Sequence, residues 1–192
     1  MSDILKLIKE RRSIRQFKKD KIDRESIEKI LEAGRFAPSA ENNQPWRFFV
    51  IEKRENIKKV GELCSYGPLN TFVSTAPLLI VIYTSASHRF VDLDCGMCAE
   101  NMMLEAHSLG IGSCFIGAFR EKLLKELLNL EDKTRIVSVI AFGYPEKVPP
   151  PPKRLTLEEL TKFDTDTKIR KIGLFEKIFK TGPLSIFFRS KK

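Results

Sequence analysis

Two short segments carry side chains whose types and spacing could do chemistry. In Arg11-Arg12-Ser13-Ile14-Arg15, three guanidinium groups and a hydroxyl lie within five residues. Such a cluster can grip a phosphate through charge-assisted hydrogen bonds, for which the planar fork of arginine is well shaped. The same residues would also serve as a solvated basic end of a helix, favourable to the macrodipole. The second segment is Ala37-Pro38-Ser39-Ala40-Glu41-Asn42-Asn43-Gln44-Pro45-Trp46. Amide side chains donate and accept at once, which suits the edge of a heteroaromatic ring with alternating carbonyls and ring nitrogens, such as a flavin or a pteridine. A capped turn anchored by Trp46 is the structural alternative.

The remaining candidates point to packing. Cys95-Gly96-Met97-Cys98 has the spacing of a redox or zinc pair, but it falls inside an apolar helical pattern and lacks a second ligand pair. Core cysteines are expected there, and a buried packing role for Cys114. His107 shares the helix and is expected to be structural, while His88 lies in a polar loop. No metal site is expected. No nucleophile or acid/base pair stands out, so no catalytic side chain is assigned.

These segments need elements to position them. Apolar spacing predicts helices over residues 3–9, 55–64, 92–109 and 121–128, and another that starts at the N-cap Asp23, carries Ile27, Ile30, Leu31 and Gly34 at helical spacing and stops before Pro38. The helix over 92–109 has only a narrow polar face, so burial on most sides is expected. Buried strands are predicted over 46–51, 78–83, 113–116 and 136–142. Strand and helix alternate, a pattern that by itself suggests a parallel α/β sheet. Five of the ten prolines lie between Pro145 and Pro152 and end the body in a stiff extended segment.

The chain has 192 residues, 42% hydrophobic and 31% charged, as expected for one globular body that removes about 70% of its unfolded surface from water. Four cysteines make no disulfide framework, and the chain begins without the charged head and apolar run of a secretory leader, so a reducing cytoplasm is expected. No apolar run reaches the length of a membrane span. The net charge of +9 is concentrated at the end, where residues 163–192 hold eight Lys/Arg against three Asp/Glu. Aromatic residues are not interleaved with the basic ones as a single-strand-binding face requires, which makes nucleic acid an unlikely partner. Apolar spacing over 171–179 and the patch 184–188 imply that this extension docks on something, with a second subunit favoured over an anionic membrane surface.

Taken together, the arginine cluster and the amide loop resemble the FMN-dependent nitroreductase-like flavoproteins. The resemblance continues through Asp94 and its helix to Leu109-Gly110-Ile111-Gly112-Ser113-Cys114-Phe115-Ile116-Gly117, then Ala141-Phe142-Gly143-Tyr144-Pro145 and Pro152-Lys153-Arg154, covering residues 1–160. It implies an α+β three-layer fold with a central, mainly antiparallel sheet flanked by helices. The expected layout is an FMN-binding domain over 1–162 and a basic extension over 163–192. By the resemblance, Arg11, Arg12, Ser13 and Arg15 hold the FMN phosphate and ribityl chain, and Lys153 and Arg154 reach the phosphate from a late loop. Pro38, Ser39, Ala40, Asn42 and Gln44 line the ring and ribityl from the other subunit of a homodimer. Ile116 and Gly117 bring backbone amides towards flavin N5, and Asn70 is a further candidate contact.

The flavin would carry the reaction, which explains the absence of a catalytic side chain. The expected activity is reduction of nitroaromatics, quinones or related electron-poor small molecules at the expense of NADH or NADPH, with ping-pong kinetics. A flavoprotein that binds FMN as a sensor or reservoir, without efficient turnover, is the alternative. Glu41 departs from the family pattern by placing a carboxylate in the loop near the ring.

Overall fold

The computed structural model describes residues 3–165. The expected tail helix over 171–179 and the patch 184–188 lie outside the described residues. The chain divides into two compact units, the first ending at Pro151 and the second beginning at Pro152. In the first unit the helices are α1 (Asp3–Glu10), α2 (Arg24–Arg35), α3 (Arg54–Cys64), α4 (Val91–Ser108) and α5 (Glu121–Leu127). The strands are β1 (Arg47–Ile51), β2 (Leu78–Thr84), β3 (Gly112–Ile116) and β4 (Arg135–Gly143), and a short α6 (Leu157–Leu160) lies in the second unit. Asp23 caps α2 as its sequence position predicts, its carboxylate accepting from the Ser26 amide at 2.8 Å.

The four strands form one sheet in the order β1-β2-β4-β3, every neighbouring pair antiparallel. This agrees with the antiparallel expectation and corrects the parallel arrangement that alternation of elements alone suggests. The physical reason lies in β4: it inserts between β2 and β3, which both run opposite to it and hence parallel to each other. A helix-linked pair of parallel strands, β2 and β3, is present, but split by β4, the strand that follows them in the chain.

Period-two alternation sends side chains to two cores. Leu78, Ile80, Ile82, Ile140 and Phe142 pack with Ile27 and Ile30 of α2 and with Cys98 and Met102 of α4. Leu79, Val81, Val139 and Ala141 pack on the opposite face with Ile57 and Val60 of α3 and Leu124 of α5. The result is helices, sheet, helices in three layers. A bulge keeps this pattern in phase: Ile82 pairs with Ser138 but Tyr83 with Ile136, leaving Val137 as the extra residue and returning Ile136 to the face of Val139.

The helix α4 is buried on most sides, as its narrow polar face predicts, but one apolar stripe stays open. Leu93 and Met97 are 65% and 39% exposed, and on α1 Ile4 and Ile8 are 69% and 48% exposed. Both helices therefore carry exposed apolar surface. No helix among the described residues is long and apolar enough to cross a membrane.

Candidate functional site

The arginine segment is seated on the sheet by backbone pairing and by two glycines. Ser13 bridges Ser113 at the start of β3 in parallel sense, and the Ile14 amide donates to the Ser113 carbonyl at 2.9 Å. Further on, Phe17 bridges Pro145, and the Lys18 amide donates to the Tyr144 carbonyl at 2.9 Å. Ile14 and Phe17 are buried and pin the segment between these bonds. Gly112 and Gly143 face each other across β3 and β4. A Cβ at Gly112 would lie 2.5 Å from Ile14 Cγ1, and one at Gly143 would lie 2.6 Å from Pro77 Cδ and 2.8 Å from Phe17 Cδ1. The absence of a side chain at both positions makes room for the two anchors.

Seated this way, the three guanidinium groups do not converge. Arg11 Nε pairs with Glu100 Oε1 of α4 at 3.2 Å. Arg12 Nη1 donates to the carbonyls of Lys9 and Arg11 at 2.6 and 2.8 Å. Arg15 lies over the Phe72 ring, 5.9 Å from its centroid, and that ring packs against Phe17. Arg11 and Arg12 line a 140 Å³ recess with His107 and Ser113, whereas Ser13 and Arg15 line a 330 Å³ concavity with Gln16, Lys147, Pro149 and Pro150. Lys147 was not picked out from sequence, although its place in the proline run just after Phe142-Gly143-Tyr144-Pro145 is a signal that could have found it.

In the smaller recess the Ser113 hydroxyl is buried and has no hydrogen-bond partner among the described residues. Burial lowers the His107 pKa below the usual histidine value; Glu10 opposes this, and Arg11 and Arg12 add to it. Behind Ser13, burial raises the Cys114 thiol pKa, with Arg15 and Arg11 opposing.

At the far end of β3, Ile116 is buried in the core beside Val139 and offers a ligand only its backbone. Gly117 is exposed, and a Cβ there would touch only Phe115 Cε1 at 3.7 Å. No packing within the chain requires a glycine at that position. Asn70 adopts a left-handed conformation with φ 60°, and its Nδ2 donates to the Cys64 carbonyl at 3.3 Å. It stands two residues before Phe72, the ring that Arg15 covers.

The amide loop is built differently. The Ala40 amide donates to both oxygens of the buried Asp94 carboxylate at 3.2 and 3.3 Å. His88 Nε2 approaches the same carboxylate at 3.9 Å. Ser39 Oγ accepts from the Gln44 amide at 3.0 Å, Asn43 Nδ2 donates to the Ala40 carbonyl at 2.8 Å, and Gln44 Nε2 donates to the Asn42 carbonyl at 3.1 Å. Arg47 closes the loop onto the Gln44 carbonyl at 3.1 Å. These bonds hold three non-glycine residues in the left-handed region: Glu41, Asn42 and Gln44 at φ 54°, 55° and 46°. Each such residue stores roughly 1–2 kcal/mol of strain.

Pro38 and the side chains of Glu41 and Asn42 are left exposed, while part of the Gln44 amide is spent within the loop. None of the described hydrogen bonds or ion pairs joins the loop to the arginine segment. Lys153 and Arg154 are exposed in an irregular stretch at the start of the second unit.

The other sequence candidates resolve as packing. Cys95 and Cys98 are fully buried, and burial pushes their thiols up to about 11 and about 12. Among the described residues no group of three or more His, Cys, Asp or Glu side chains could hold a metal ion. An open groove of 540 Å³ beside α2, lined by Glu25, Glu28, Glu32 and Glu105, carries the wrong charge for a phosphate.

Comparison with known proteins follows the same residues. A protein of Archaeoglobus fulgidus, provisionally named NADH dehydrogenase/NAD(P)H nitroreductase, is 39% identical over 153 residues, 76% of this chain and 87% of the relative. The crystal structure of a protein provisionally named NADH oxidase, from Clostridium acetobutylicum, aligns with a TM-score of 0.72 at 38% identity, covering 80% of this chain and 96% of that one. A nitroreductase from Desulfovibrio desulfuricans, solved in complex with FMN and also provisionally named, aligns with a TM-score of 0.74 at 29% identity over 84% and 96% of the two chains. The profile of the nitroreductase family matches residues 8–70 and 65–144, spanning both the seated arginine segment and the two glycines that seat it, and the chain belongs to that family.

Proposed function

We propose that the protein is an FMN-dependent oxidoreductase that uses NADH or NADPH to reduce nitroaromatics, quinones or related electron-poor small molecules. The observation that carries this reading is the arginine segment held on β3 by Gly112 and Gly143, the strand whose other end is the open backbone of Gly117. From Ser113, beside Ser13, to Gly117 is about 13 Å of extended strand. That is comparable with the reach from the phosphate of FMN, through its five-carbon ribityl chain, into its ring system. Relatives named as NAD(P)H nitroreductase and FMN reductase support the same activity.

The donor set fits the cofactor. Ser13, Arg15 and Lys147 share one concavity, where two cations and a hydroxyl match a phosphate dianion. Glu100 holds Arg11 by Nε, and the Ser113 hydroxyl, without a partner among the described residues, lines the same recess as Arg11. Arg12, Lys153 and Arg154 complete the proposed phosphate and ribityl contacts. The backbone at Ile116 and Gly117, with Asn70, would meet the ring.

Recesses of 140 and 330 Å³ are each too small to enclose FMN and a second substrate. The remaining wall is supplied by a second copy, whose Pro38, Ser39, Ala40, Asn42 and Gln44 would face the ring. The apolar surface left on α1 and α4 fits such a homodimer. A cytoplasmic location accords with four free cysteines.

Bound FMN would supply a two-electron store that takes hydride from the nicotinamide and returns it to the acceptor. For a nitro group the balance is NAD(P)H plus a proton plus R–NO2 giving NAD(P)+, R–NO and water. Because reductant and acceptor would use one site in turn, ping-pong kinetics follow. The test is a visible spectrum of the purified protein before and after anaerobic NADH or NADPH. Flavin bands that bleach, and parallel double-reciprocal lines with a quinone acceptor, are expected. A protein that is colourless and takes up no added FMN refutes the reading, while bands that persist favour a binding-only flavoprotein.

A further inference from the structure

Glu41 is the one carboxylate that the amide loop presents outward. Its backbone stands at φ 54° and ψ 23°, followed by Asn42 at φ 55°, so two consecutive side-chain-bearing residues occupy a conformation that favours glycine. The bond from the Ala40 amide to Asp94 fixes the residue before it, and the bonds among Ser39, Asn43 and Gln44 close the loop around it. The Glu41 side chain is exposed, and it forms no hydrogen bond or ion pair with the described residues. The two nearest cations in the sequence are engaged elsewhere: Arg35 pairs with Glu32, and Arg47 is turned to the carbonyls of Gln44 and Trp46. A strained, rigidly held loop thus carries an uncompensated negative charge at its tip.

We infer that Glu41 sets the charge class of the electron acceptor, disfavouring anionic acceptors and favouring neutral and cationic ones. This rests on the reading above, in which the loop of one subunit faces the ring bound by the other. A fixed carboxylate about 6 Å from an acceptor's charged group, at a mouth wet enough for an effective dielectric near 60, changes the relative occupancy of an ion by about fivefold. The sign is opposite for anions and cations, and the effect shrinks with salt because the group is exposed.

The test uses the full-length, FMN-loaded protein and three acceptors that share one nitroarene: 4-nitrobenzoate, 4-nitrobenzamide and (4-nitrobenzyl)trimethylammonium. In Glu41→Gln the ratio of kcat/KM for the benzoate to that for the benzamide is expected to rise about fivefold, and the ratio for the ammonium compound to fall about as much. Both shifts are expected to shrink at 0.5 M salt. Binding of benzoate and benzamide to the oxidised protein, followed by perturbation of the flavin absorbance, gives the same comparison without turnover, and benzoate is expected to tighten.

Glu41→Asn, which suits a left-handed backbone, must reproduce the shift. A shift seen in Glu41→Gln alone assigns the effect to loop geometry and overturns the charge assignment. Unchanged ratios and affinities in a protein that binds FMN and is reduced overturn the inference about Glu41 alone. A parent protein that binds no flavin overturns the functional reading and this inference with it.

Discussion

Replacing Gly112 by alanine tests how the site is built. The added Cβ would lie 2.5 Å from Cγ1, 2.9 Å from Cβ and 3.1 Å from Cγ2 of Ile14. All three atoms belong to a buried β-branched side chain close to its own backbone, so no flexible tip can swing aside. Reaching ordinary contact needs a shift of about 1 Å, and Ile14 is joined to Ser113 by the same backbone bond that places Ser13 and Arg15. Overpacking of this kind costs about 1–3 kcal/mol, and a weakened hydrogen bond adds about 1 kcal/mol. For a chain of this size that lowers Tm by roughly 4–15 °C.

Displacing Ser13 and Arg15 should remove at least one charge-assisted bond to the phosphate, weakening FMN about 10- to 100-fold. Differential scanning calorimetry of the apo-protein and a fluorescence titration with FMN measure the two effects separately. A Gly112→Ala protein that melts within 1–2 °C of the parent (order of magnitude) and binds FMN equally well would show that the glycine does not seat the segment.

Other perturbations probe the remaining parts. Lys147→Ala and Arg15→Ala should each weaken FMN roughly 10- to 100-fold and flatten its salt dependence; an unchanged titration for Lys147→Ala would remove that residue from the phosphate site. Leu93→Glu, on the exposed face of α4, should convert a dimer to a monomer in sedimentation velocity and release flavin, whereas a dimer that persists would place the interface elsewhere. Asp94→Asn leaves the Ala40 amide facing a weaker acceptor; a loss of about 1–3 kcal/mol in denaturant unfolding is expected, and full retention would mean that the loop holds its strain without Asp94.

The buried thiols give the pH dependence. Cys64 and Cys98 are pushed up to about 12 and Cys95 to about 11, from 9.0 when unfolded. Unfolding therefore releases protons as pH rises above 9.0, and stability should fall between that pH and about 11–12. At pH 8 none of the three should react with a thiol reagent until the protein unfolds; rapid labelling of the native protein would contradict their burial.

By itself the sequence determined what depends on near neighbours. Asp23 fixed the start of α2, apolar runs located the four strands to within a residue or two, and the arginine cluster together with the amide loop pointed to the family. Periodicity states which face of an element is apolar. It does not state what covers that face, and so Leu93 and Met97 were expected to be covered where the chain leaves them open. Strand direction also lay beyond local pattern, because β4, the next strand after β3 in the chain, inserts between β2 and β3.

The same limit applied to the site. Spacing brought Arg11, Arg12 and Arg15 together in sequence, yet side-chain partners on other elements, Glu100 and Phe72, sent two of them apart, while Arg12 turned back on its own backbone. Lys147 joined Ser13 and Arg15 only through folding. Gly112 and Gly143 were visible as glycines, but their purpose rests on Ile14 and Phe17 arriving from about 100 residues away, a coincidence of surfaces that only the tertiary structure decides.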